Sequence, residues 1–207
     1  MSSAAIVECG DILESAVRER RAISRLTEKF PDLTLEDGYQ IQSLLATRRI
    51  SRGSSVVGAK LGLTSRAKQV QMKCSEPVYG RLFSDTFHPA NEPFEVASLI
   101  HPRVEPEIVF VMKDRLAGPG VSAADVIAAT KAVCCGLEII DSRYDDFSFT
   151  AADVVADNTS EAKLVMGPKM VDPTGLDLGL VGLLLEVDGD QVATACGAAT
   201  MGHPAEA

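Results

Sequence analysis

The spacing of apolar residues changes at Ser55, and this change limits the folds that the chain can adopt. Before Ser55, apolar residues recur at intervals of three, four or seven, which places them on one face of a helix. That stripe consists of Ile12, Ala16, Ile23, Leu26 and Phe30. After Ser55, short β-branched runs alternate with turns that contain glycine and proline. Helices followed by strands predict an α+β fold rather than alternating β/α units.

Two helices are predicted in the first part of the chain. The first ends at Pro31, because proline cannot continue a helix interior. The second follows the capping pattern formed by Thr34 and Asp37. Because 46% of the 207 residues are hydrophobic, one substantial core is expected. We therefore predict a helical N-terminal region over 1–54 and a β-rich catalytic core over 55–207.

Local signals divide the β-rich part into shorter elements. Apolar β-branched runs predict strands, and an Asp-Gly pair between apolar runs predicts a β-hairpin. Ser65 is predicted to cap one helix, and Ser122 with Asp125 repeats the capping pattern before another. The predicted elements are strands over 56–63, 104–112 and 136–141, helices over 66–72 and 126–133, a loop-rich segment over 77–93, and a hairpin turn at 188–189.

The charge of the chain excludes several classes of partner. There are 20 lysines and arginines against 29 aspartates and glutamates, so the net charge is −9. Such a chain is repelled by phosphate backbones, which argues against nucleic-acid binding. No apolar stretch approaches the roughly 18 residues of a membrane span, and the N-terminus lacks the order of a signal peptide. We expect a cytoplasmic protein without a membrane partner.

The five cysteines predict reduced thiols rather than a disulfide framework. Their number is odd, and no C-x-x-C pair occurs. Cys134 and Cys135 are adjacent within an apolar run, so we expect both to be buried. A zinc site or a catalytic thiol is the alternative.

Three glutamates lie in strands that are otherwise apolar. Side chains alternate across a strand, so Glu105 and Glu107 point to the same side, and Glu138 lies in a second apolar strand. A buried carboxylate needs a cation or a proton. Convergence of the three would suit a hard divalent cation. The alternative is an exposed edge strand, since the pattern does not place Glu138 beside the other two.

Lys60 is the second candidate for a functional residue. It stands between Gly58 and Gly62 in an apolar run, where glycines allow a ligand to approach the backbone closely. The alternative is a lysine that lies along the apolar surface with its ammonium group in solvent. The three histidines show no metal-site spacing, and we predict that His88 and His101 are structural or exposed.

Four short segments together resemble one enzyme family. They read GAKLGLTS at 58–65, EPE at 105–107, EIIDSR at 138–143 and VADNTS at 155–160. From about residue 56 to its end, the chain resembles the hydratase/decarboxylase branch of the fumarylacetoacetate hydrolase superfamily. Members of that branch act late in the meta-cleavage of aromatic compounds.

This resemblance implies a fold, a cofactor and a set of site residues. The implied core is a mixed, mainly antiparallel β-sandwich or barrel of the fumarylacetoacetase C-terminal-domain type. Glu105, Glu107 and Glu138 are implied to bind Mg²⁺, with Mn²⁺ possible. Lys60 is implied to be catalytic and to bind a 2-oxo acid substrate, and we expect Asn158 and Ser160 to orient ligand groups. A homo-oligomer, and association with the hydratase of the same pathway, are also expected.

The branch contains two main activities, and two local features favour one of them here. The hydratases of the branch carry an aspartate at the position of Val78, where an acid or base would handle the proton of the water. Valine can do neither, whereas decarboxylation needs no water. The segment 141–149 also looks like the decarboxylase pattern. We therefore expect decarboxylation of 2-oxo-3-hexenedioate, with hydration of 2-hydroxypenta-2,4-dienoate as the alternative.

The last residues of the chain add a third possibility. Members of the family continue beyond the segment 202–207 with a helix, further strands and a glycine-rich loop near the active site. We expect that C-terminal part of the family domain to be missing here. A non-catalytic partner subunit is therefore a further alternative, and the short C-terminus bears on catalytic competence rather than on ancestry.

Overall fold

The computed structural model describes all residues, 1–207, and has helices first and strands afterwards, as predicted. The helices are α1 (Ser3–Glu19), α2 (Leu26–Lys29), α3 (Leu35–Ser51), α4 (Arg66–Met72), α5 (Ala123–Ala129) and α6 (Ala151–Ala156). The strands are β1 (Val56–Gly62), β2 (Val78–Phe83), β3 (Arg103–Met112), β4 (Thr130–Ile140), β5 (Glu161–Met166), β6 (Gly182–Val187) and β7 (Asp190–Cys196). None of the helices combines the length and apolar character that a bilayer crossing requires.

The predicted first helix is in fact two helices separated by an extended segment. Helix α1 ends where Arg20 adopts a left-handed conformation with φ of 50°. Ile23 then pairs with the chain around Tyr144: its N–H donates to the carbonyl of Arg143 at 2.9 Å, and its carbonyl accepts from Asp145 at 2.9 Å. Tertiary pairing therefore overrides the helical spacing at Ile23.

Helix α3 begins with the predicted capping box and packs closely on α6. The Thr34 hydroxyl accepts from the Asp37 N–H, and the Asp37 carboxylate accepts from Thr34. Gly38 is needed for the packing, because a Cβ there would lie 2.6 Å from the carbonyl oxygen of Ala152. Even a methyl group at this position would push the two helices apart.

One hydrophobic core joins the N-terminal helices to the segment around α6. Nine buried residues form it: Ile6, Cys9, Leu13, Leu26, Leu33, Ile41, Tyr144, Ala152 and Ala156. The first six belong to 1–54 and the last three to 55–207, so the two regions bury their apolar surface against each other. The division of the chain between residues 54 and 55 stays a prediction.

The strands form three separate antiparallel sheets, with the orders β1-β2, β3-β4-β5 and β6-β7. The predicted mixed helix and antiparallel-sheet architecture is confirmed, but the sheets do not close into a barrel. Strand β2 ends at Phe83, and the chain beyond it reaches β5 only through a single bridge between Phe87 and Leu164. Without a continuous ladder there, closure is not achieved.

Two further predicted segments differ from the structure. The helix predicted over 126–133 ends at Ala129, because β4 already begins at Thr130 and Val133 exchanges two backbone hydrogen bonds with Val171. The loop-rich segment over 77–93 contains β2, whose pairing with β1 outweighs the glycine and proline signals. The hairpin turn at 188–189 is confirmed, with φ of 53° at Asp188 and 89° at Gly189.

All five cysteines are free thiols. Cys134 is buried as predicted, but Cys135 is exposed. The prediction that both are buried is wrong because neighbouring residues of a strand point to opposite faces.

Asp153 is the aspartate whose loss should destabilise the fold most clearly. Its fully buried carboxylate accepts from the backbone and hydroxyl of both Thr27 and Thr150, at 2.7–2.9 Å, and so ties α2 to α6. Asp153→Ala leaves these donors without an acceptor, and we expect the free energy of unfolding to fall by about 2–4 kcal/mol in urea titrations.

Asp125→Ala is the matched control for this change. Asp125 occupies the same position of a capping box, with Ser122, but on the exposed helix α5. We expect a much smaller loss of stability there, because water replaces the lost acceptor. Equal losses in the two variants would contradict the assigned role of Asp153.

Candidate metal centre and active site

Pairing of β3 with β4 brings the three predicted glutamates together. Glu105 lies directly opposite Glu138 in the register, and Glu107 is two residues further along the same face of β3. Each of the three offers a carboxylate oxygen within 4.8 Å of the others. Glu138 is buried, Glu107 is half-buried and Glu105 is exposed. Strand β3 is indeed an edge strand, but its two glutamates form a cluster with Glu138 rather than a dispersed solvated face.

Lys60 of β1 reaches the same cluster from a different sheet. Its Nζ lies 2.8 Å from Oε1 of Glu138 and donates a hydrogen bond to the carbonyl of Thr159 at 2.9 Å. The side chain is only 9% exposed. The alternative of a lysine with its ammonium group in solvent is therefore wrong, because the charged end of Lys60 is buried against a carboxylate.

Mutual repulsion and burial raise the pKa of carboxylic acids in the cluster. Burial, followed by the charges of Glu138 and Glu105, raises the pKa of Glu107 from 4.5 to about 7, although Lys60 acts in the opposite direction. Burial also raises the pKa of Glu138, against the attraction of Lys60. When all four groups are ionised, three negative charges face one positive charge, so the cluster has an excess of two negative charges.

The cluster fits a divalent cation such as magnesium. It offers only carboxylate oxygens, which are the ligands preferred by hard cations. Oε1 of Glu138 is buried and accepts no well-directed hydrogen bond, although Lys60 is close enough for an ion pair. An oxygen in this state has lone pairs available to a cation. A doubly charged ion would balance the excess negative charge.

Residues 158–160, called here the Asn158 turn, border the cluster. Its three residues all have left-handed backbones, with φ of 49°, 53° and 60°. The side chain of Asn158 binds the backbone of Arg81, and the Ser160 hydroxyl donates to Asp157 at 3.3 Å. The predicted roles of Asn158 and Ser160 in orienting ligand groups stay predictions, and the polar atoms of both are engaged within the protein.

Val78 shares a sheet face with Lys60. In the register of β1 and β2, Lys60 lies opposite Gly80 and Gly62 lies opposite Val78, so these four positions belong to one face. Val78 is buried at 2% exposure. A Cβ on Gly80 would lie 2.2 Å from Oγ1 of Thr159, so only glycine lets the Asn158 turn approach β2 this closely.

A buried pair beneath the Asn158 turn was missed by the sequence analysis. The Arg143 side chain donates to the Asp157 carboxylate from Nε and to the Asp157 carbonyl from Nη2 at 2.7 Å. The sequence did contain a signal for this pair. Arg143 lies in the segment 138–143 and Asp157 in the segment 155–160, two of the four segments that carry the family resemblance. The histidines are placed as predicted: the ring of His101 lies 2.7 Å from the carbonyl of Ser142, and that of His88 lies 3.0 Å from the carbonyl of Glu92.

A cavity of about 860 Å³ borders Asn158 but not the carboxylate cluster. Residues of α1, α3 and the segment 98–100 line it, together with Asn158 and Glu161, but Lys60 and the three glutamates do not. Its arginines are bonded to neighbouring acids or backbone carbonyls, including Arg49 to Glu161 and Arg20 to the carbonyl of Ala97. The chemistry of the cluster therefore lies outside this cavity.

Clustered carboxylates beside a buried ammonium group, in a small antiparallel framework, are typical of a metal-dependent enzyme. Relatives of known activity agree with this class, although no protein-family model matches the chain. A 4-oxalocrotonate decarboxylase of Pseudomonas sp. (strain CF600) is 40% identical over 97% of this chain and 76% of its own length. A 2-hydroxypent-2,4-dienoate hydratase of Pseudomonas putida is 38% identical over 99% of this chain and 92% of its own length.

A solved structure agrees over the whole chain. The 4-oxalocrotonate decarboxylase from Pseudomonas putida G7, complexed with magnesium and adipate, has a TM-score of 0.95 and 37% identity. The match covers 100% of this chain and 78% of that one. The chain belongs to the family of 4-oxalocrotonate decarboxylases and 2-hydroxypentadienoate hydratases. The resemblance that the four short segments carry is thereby confirmed.

Proton competition at Glu107 should make magnesium binding depend on pH. The carboxylate must be ionised to bind a cation, and the pKa of Glu107 is about 7 without one. Below pH 7 a proton competes, so we expect affinity at pH 6 to be about tenfold weaker than at pH 8. Calorimetric titration of metal-free protein at the two pH values measures this ratio.

Glu107→Gln should keep the fold but weaken binding at pH 8 by an order of magnitude or more, because an amide oxygen carries no charge. It should also flatten the pH dependence. Glu186→Gln, on exposed β6, is the control and should bind like the unaltered protein. Unchanged affinity in the Glu107 variant would remove that residue from the site.

Proposed function

We propose that this chain catalyses metal-dependent decarboxylation of 2-oxo-3-hexenedioate (4-oxalocrotonate) to 2-hydroxypenta-2,4-dienoate, a step in the degradation of aromatic compounds. The observation that carries the proposal is the cluster of Glu105, Glu107 and Glu138 beside the buried ammonium group of Lys60. The same enzyme activity is named for a relative at 40% identity and for the structure at TM-score 0.95.

Glu105, Glu107 and Glu138 would hold the cation. Magnesium, which the structurally similar decarboxylase contains, supplies Lewis acidity at the 2-oxo group of the substrate when bound, and manganese could serve in its place. Glu138 is buried and Glu107 is half-buried, so these two side chains have little freedom to leave the position in which they would hold the cation. This arrangement favours a substrate with a carboxylate next to a carbonyl group, because two oxygens of such an acid can face one cation.

Lys60 would act on the charge that develops during the reaction. Breaking the C5–C6 bond releases carbon dioxide, and the electron pair moves through the C3–C4 double bond to the C2 oxygen. An ammonium group held near that oxygen stabilises the negative charge and can deliver the proton that completes the dienol. The hydrogen bond to Thr159 and the ion pair to Glu138 keep Lys60 Nζ oriented for this role.

Val78 favours decarboxylation over hydration. Hydration needs a group that activates water and delivers a proton to carbon. Val78 is apolar, buried and on the same sheet face as Lys60, so it offers no such group. Relatives with hydratase names are also about 40% identical, including a 2-keto-4-pentenoate hydratase of Paraburkholderia xenovorans. Overall identity therefore does not separate the two activities.

Further properties of the family are proposed for this chain. The β1-β2 and β3-β4-β5 sheets are proposed to belong to one β-sandwich of the fumarylacetoacetase C-terminal-domain type. A homo-oligomer and association with the hydratase that consumes the product are proposed on the same basis. The relatives include hydratases, which is consistent with consecutive steps in one pathway. We also propose that the protein is located in the cytoplasm.

Lys60→Met tests the role of the ammonium group. We expect turnover to fall about a hundredfold, as for loss of one preorganised donor. Magnesium affinity should increase, because the three carboxylates lose their only neutralising neighbour. Lys163→Met is the control, since its ammonium group binds the carbonyl of Asp85 on the exposed side of β5. Near-normal turnover in the Lys60 variant would defeat the catalytic role.

The choice of reaction is tested by following carbon dioxide release and the dienoate chromophore in parallel. We expect carbon dioxide from 2-oxo-3-hexenedioate with magnesium, none with EDTA, and little hydration of 2-hydroxypenta-2,4-dienoate.

Val78→Asp should slow decarboxylation, because a carboxylate there repels a dianion, and should introduce some hydration. Efficient hydration by the unaltered protein, without carbon dioxide from the diacid, would assign it to the hydratases. Binding of the pathway hydratase without either turnover would support the partner-subunit alternative.

A further inference from the structure

The side-chain amide of Asn158 makes two hydrogen bonds to the backbone of Arg81 in β2, as a residue of a neighbouring strand would. Its Oδ1 accepts from the N–H of Arg81 at 2.7 Å, and its Nδ2 donates to the Arg81 carbonyl at 2.9 Å. Only one orientation of the amide satisfies both contacts, so the assignment of its oxygen and nitrogen is unambiguous. The second Nδ2 hydrogen is directed to Oε2 of Glu161 at 3.3 Å. Both donors of Asn158 are therefore occupied within the protein.

The pairing holds a backbone that would otherwise be unfavourable. Left-handed conformations cost roughly 1–2 kcal/mol for a residue with a side chain, and three occur in succession at Asn158, Thr159 and Ser160. Asparagine tolerates this region better than most residues, but threonine does not. The turn needs external contacts to persist, and the Asn158–Arg81 pair is a direct side-chain link between the turn and β2.

The geometry of the turn determines where Lys60 lies. The carbonyl of Thr159, at the centre of the turn, accepts the hydrogen bond from Lys60 Nζ at 2.9 Å. Glu138 Oε1 lies 2.8 Å from the same nitrogen. If the turn relaxed, the carbonyl of Thr159 would rotate away and one of the two contacts that fix the ammonium group would be lost.

We propose that Asn158 is a positioning residue that places Lys60 for the reaction by clamping the Asn158 turn to Arg81. This inference rests on the proposed function, because it concerns the lysine of that site. It assigns Asn158 a role other than direct contact with the substrate, since its amide hydrogens are already used. Asn158 acts on the substrate only through the carbonyl of Thr159 and the ammonium group of Lys60.

Chemical reactivity of Lys60 tests the clamp without metal or substrate. Asn158→Gly removes the side chain but tolerates the left-handed backbone. In metal-free protein, acetylation of Lys60 measured by mass spectrometry should become about tenfold faster relative to exposed Lys29, as expected when a buried group loses a fixed contact. Asn91→Gly, at an exposed turn, is the matched control and should leave Lys60 protected. If Lys60 is acetylated as slowly in Asn158→Gly as in the unaltered protein, the proposal is overturned.

A double-mutant cycle separates positioning from substrate contact. In the unaltered background, Asn158→Gly should lower kcat about tenfold and change KM less than twofold. In the Lys60→Met background the same change should have almost no effect on kcat, because the group it positions is gone. An equal loss in both backgrounds, or a KM increase that persists without Lys60, would overturn the positioning role in favour of direct contact.

A second variant serves if Asn158→Gly does not fold. Asn158→Asp keeps the acceptor for the Arg81 N–H but loses both donors and adds a charge beside Glu161. The Asp variant should accelerate acetylation of Lys60 less than Asn158→Gly does. An acetylation rate equal to that of the unaltered protein, in this folded variant, would also reject the proposal. If the unaltered protein shows no decarboxylation, the proposed function fails while the acetylation rates still decide the clamp.

Discussion

Three carboxylates that share one small volume repel one another, and the surrounding structure offsets only part of this repulsion. Glu138 is buried, and the pKa of Glu107 is about 7 because burial and two neighbouring acids disfavour its charge. Lys60 neutralises one charge, which leaves two. A buried arrangement of this kind contributes little to folding stability. The cluster fits the binding of a divalent cation better than a role in stabilising the sheet.

Lys60 and the three carboxylates of the site come from different sheets, so their alignment depends on what joins those sheets. The Asn158 turn lies between them, and buried Gln42 of α3 contacts strand β2 and helix α6 on either side of that turn in the chain fold. Gln42 donates to the carbonyls of Tyr79 at 2.9 Å and Val155 at 3.1 Å, and its Oε1 accepts from Arg81. The N-terminal helices therefore support the framework around the site, although they supply none of its charged groups.

Elements with strong local signals could be predicted from the sequence, and those decided by tertiary pairing could not. The capping box at Thr34, the strand with its two glutamates and the turn at Asp188 are confirmed because each depends on neighbouring residues. Strand β2 and the first half of β4 were missed because their partners lie elsewhere in the chain. Likewise, the alternation of side chains along a strand predicted that Glu105 and Glu107 lie on one face of β3. Only the register of β3 and β4 brings Glu138 to them, and the burial of Lys60 depends on a contact 99 residues away.

The unbroken ladder between β3 and β4 has a consequence for how this chain can vary in evolution. Pairing runs without a shift from Arg103 to Val111, and the irregularity in this ladder falls between Val111 and Met112, beyond the glutamates. A one-residue slip of a strand moves every side chain to the opposite face. An insertion or deletion within the paired segment would thus separate the acids, whereas the same event beyond Val111 could be absorbed. Changes of length in homologous genes should therefore accumulate around residues 113–122 and be rare within 103–111.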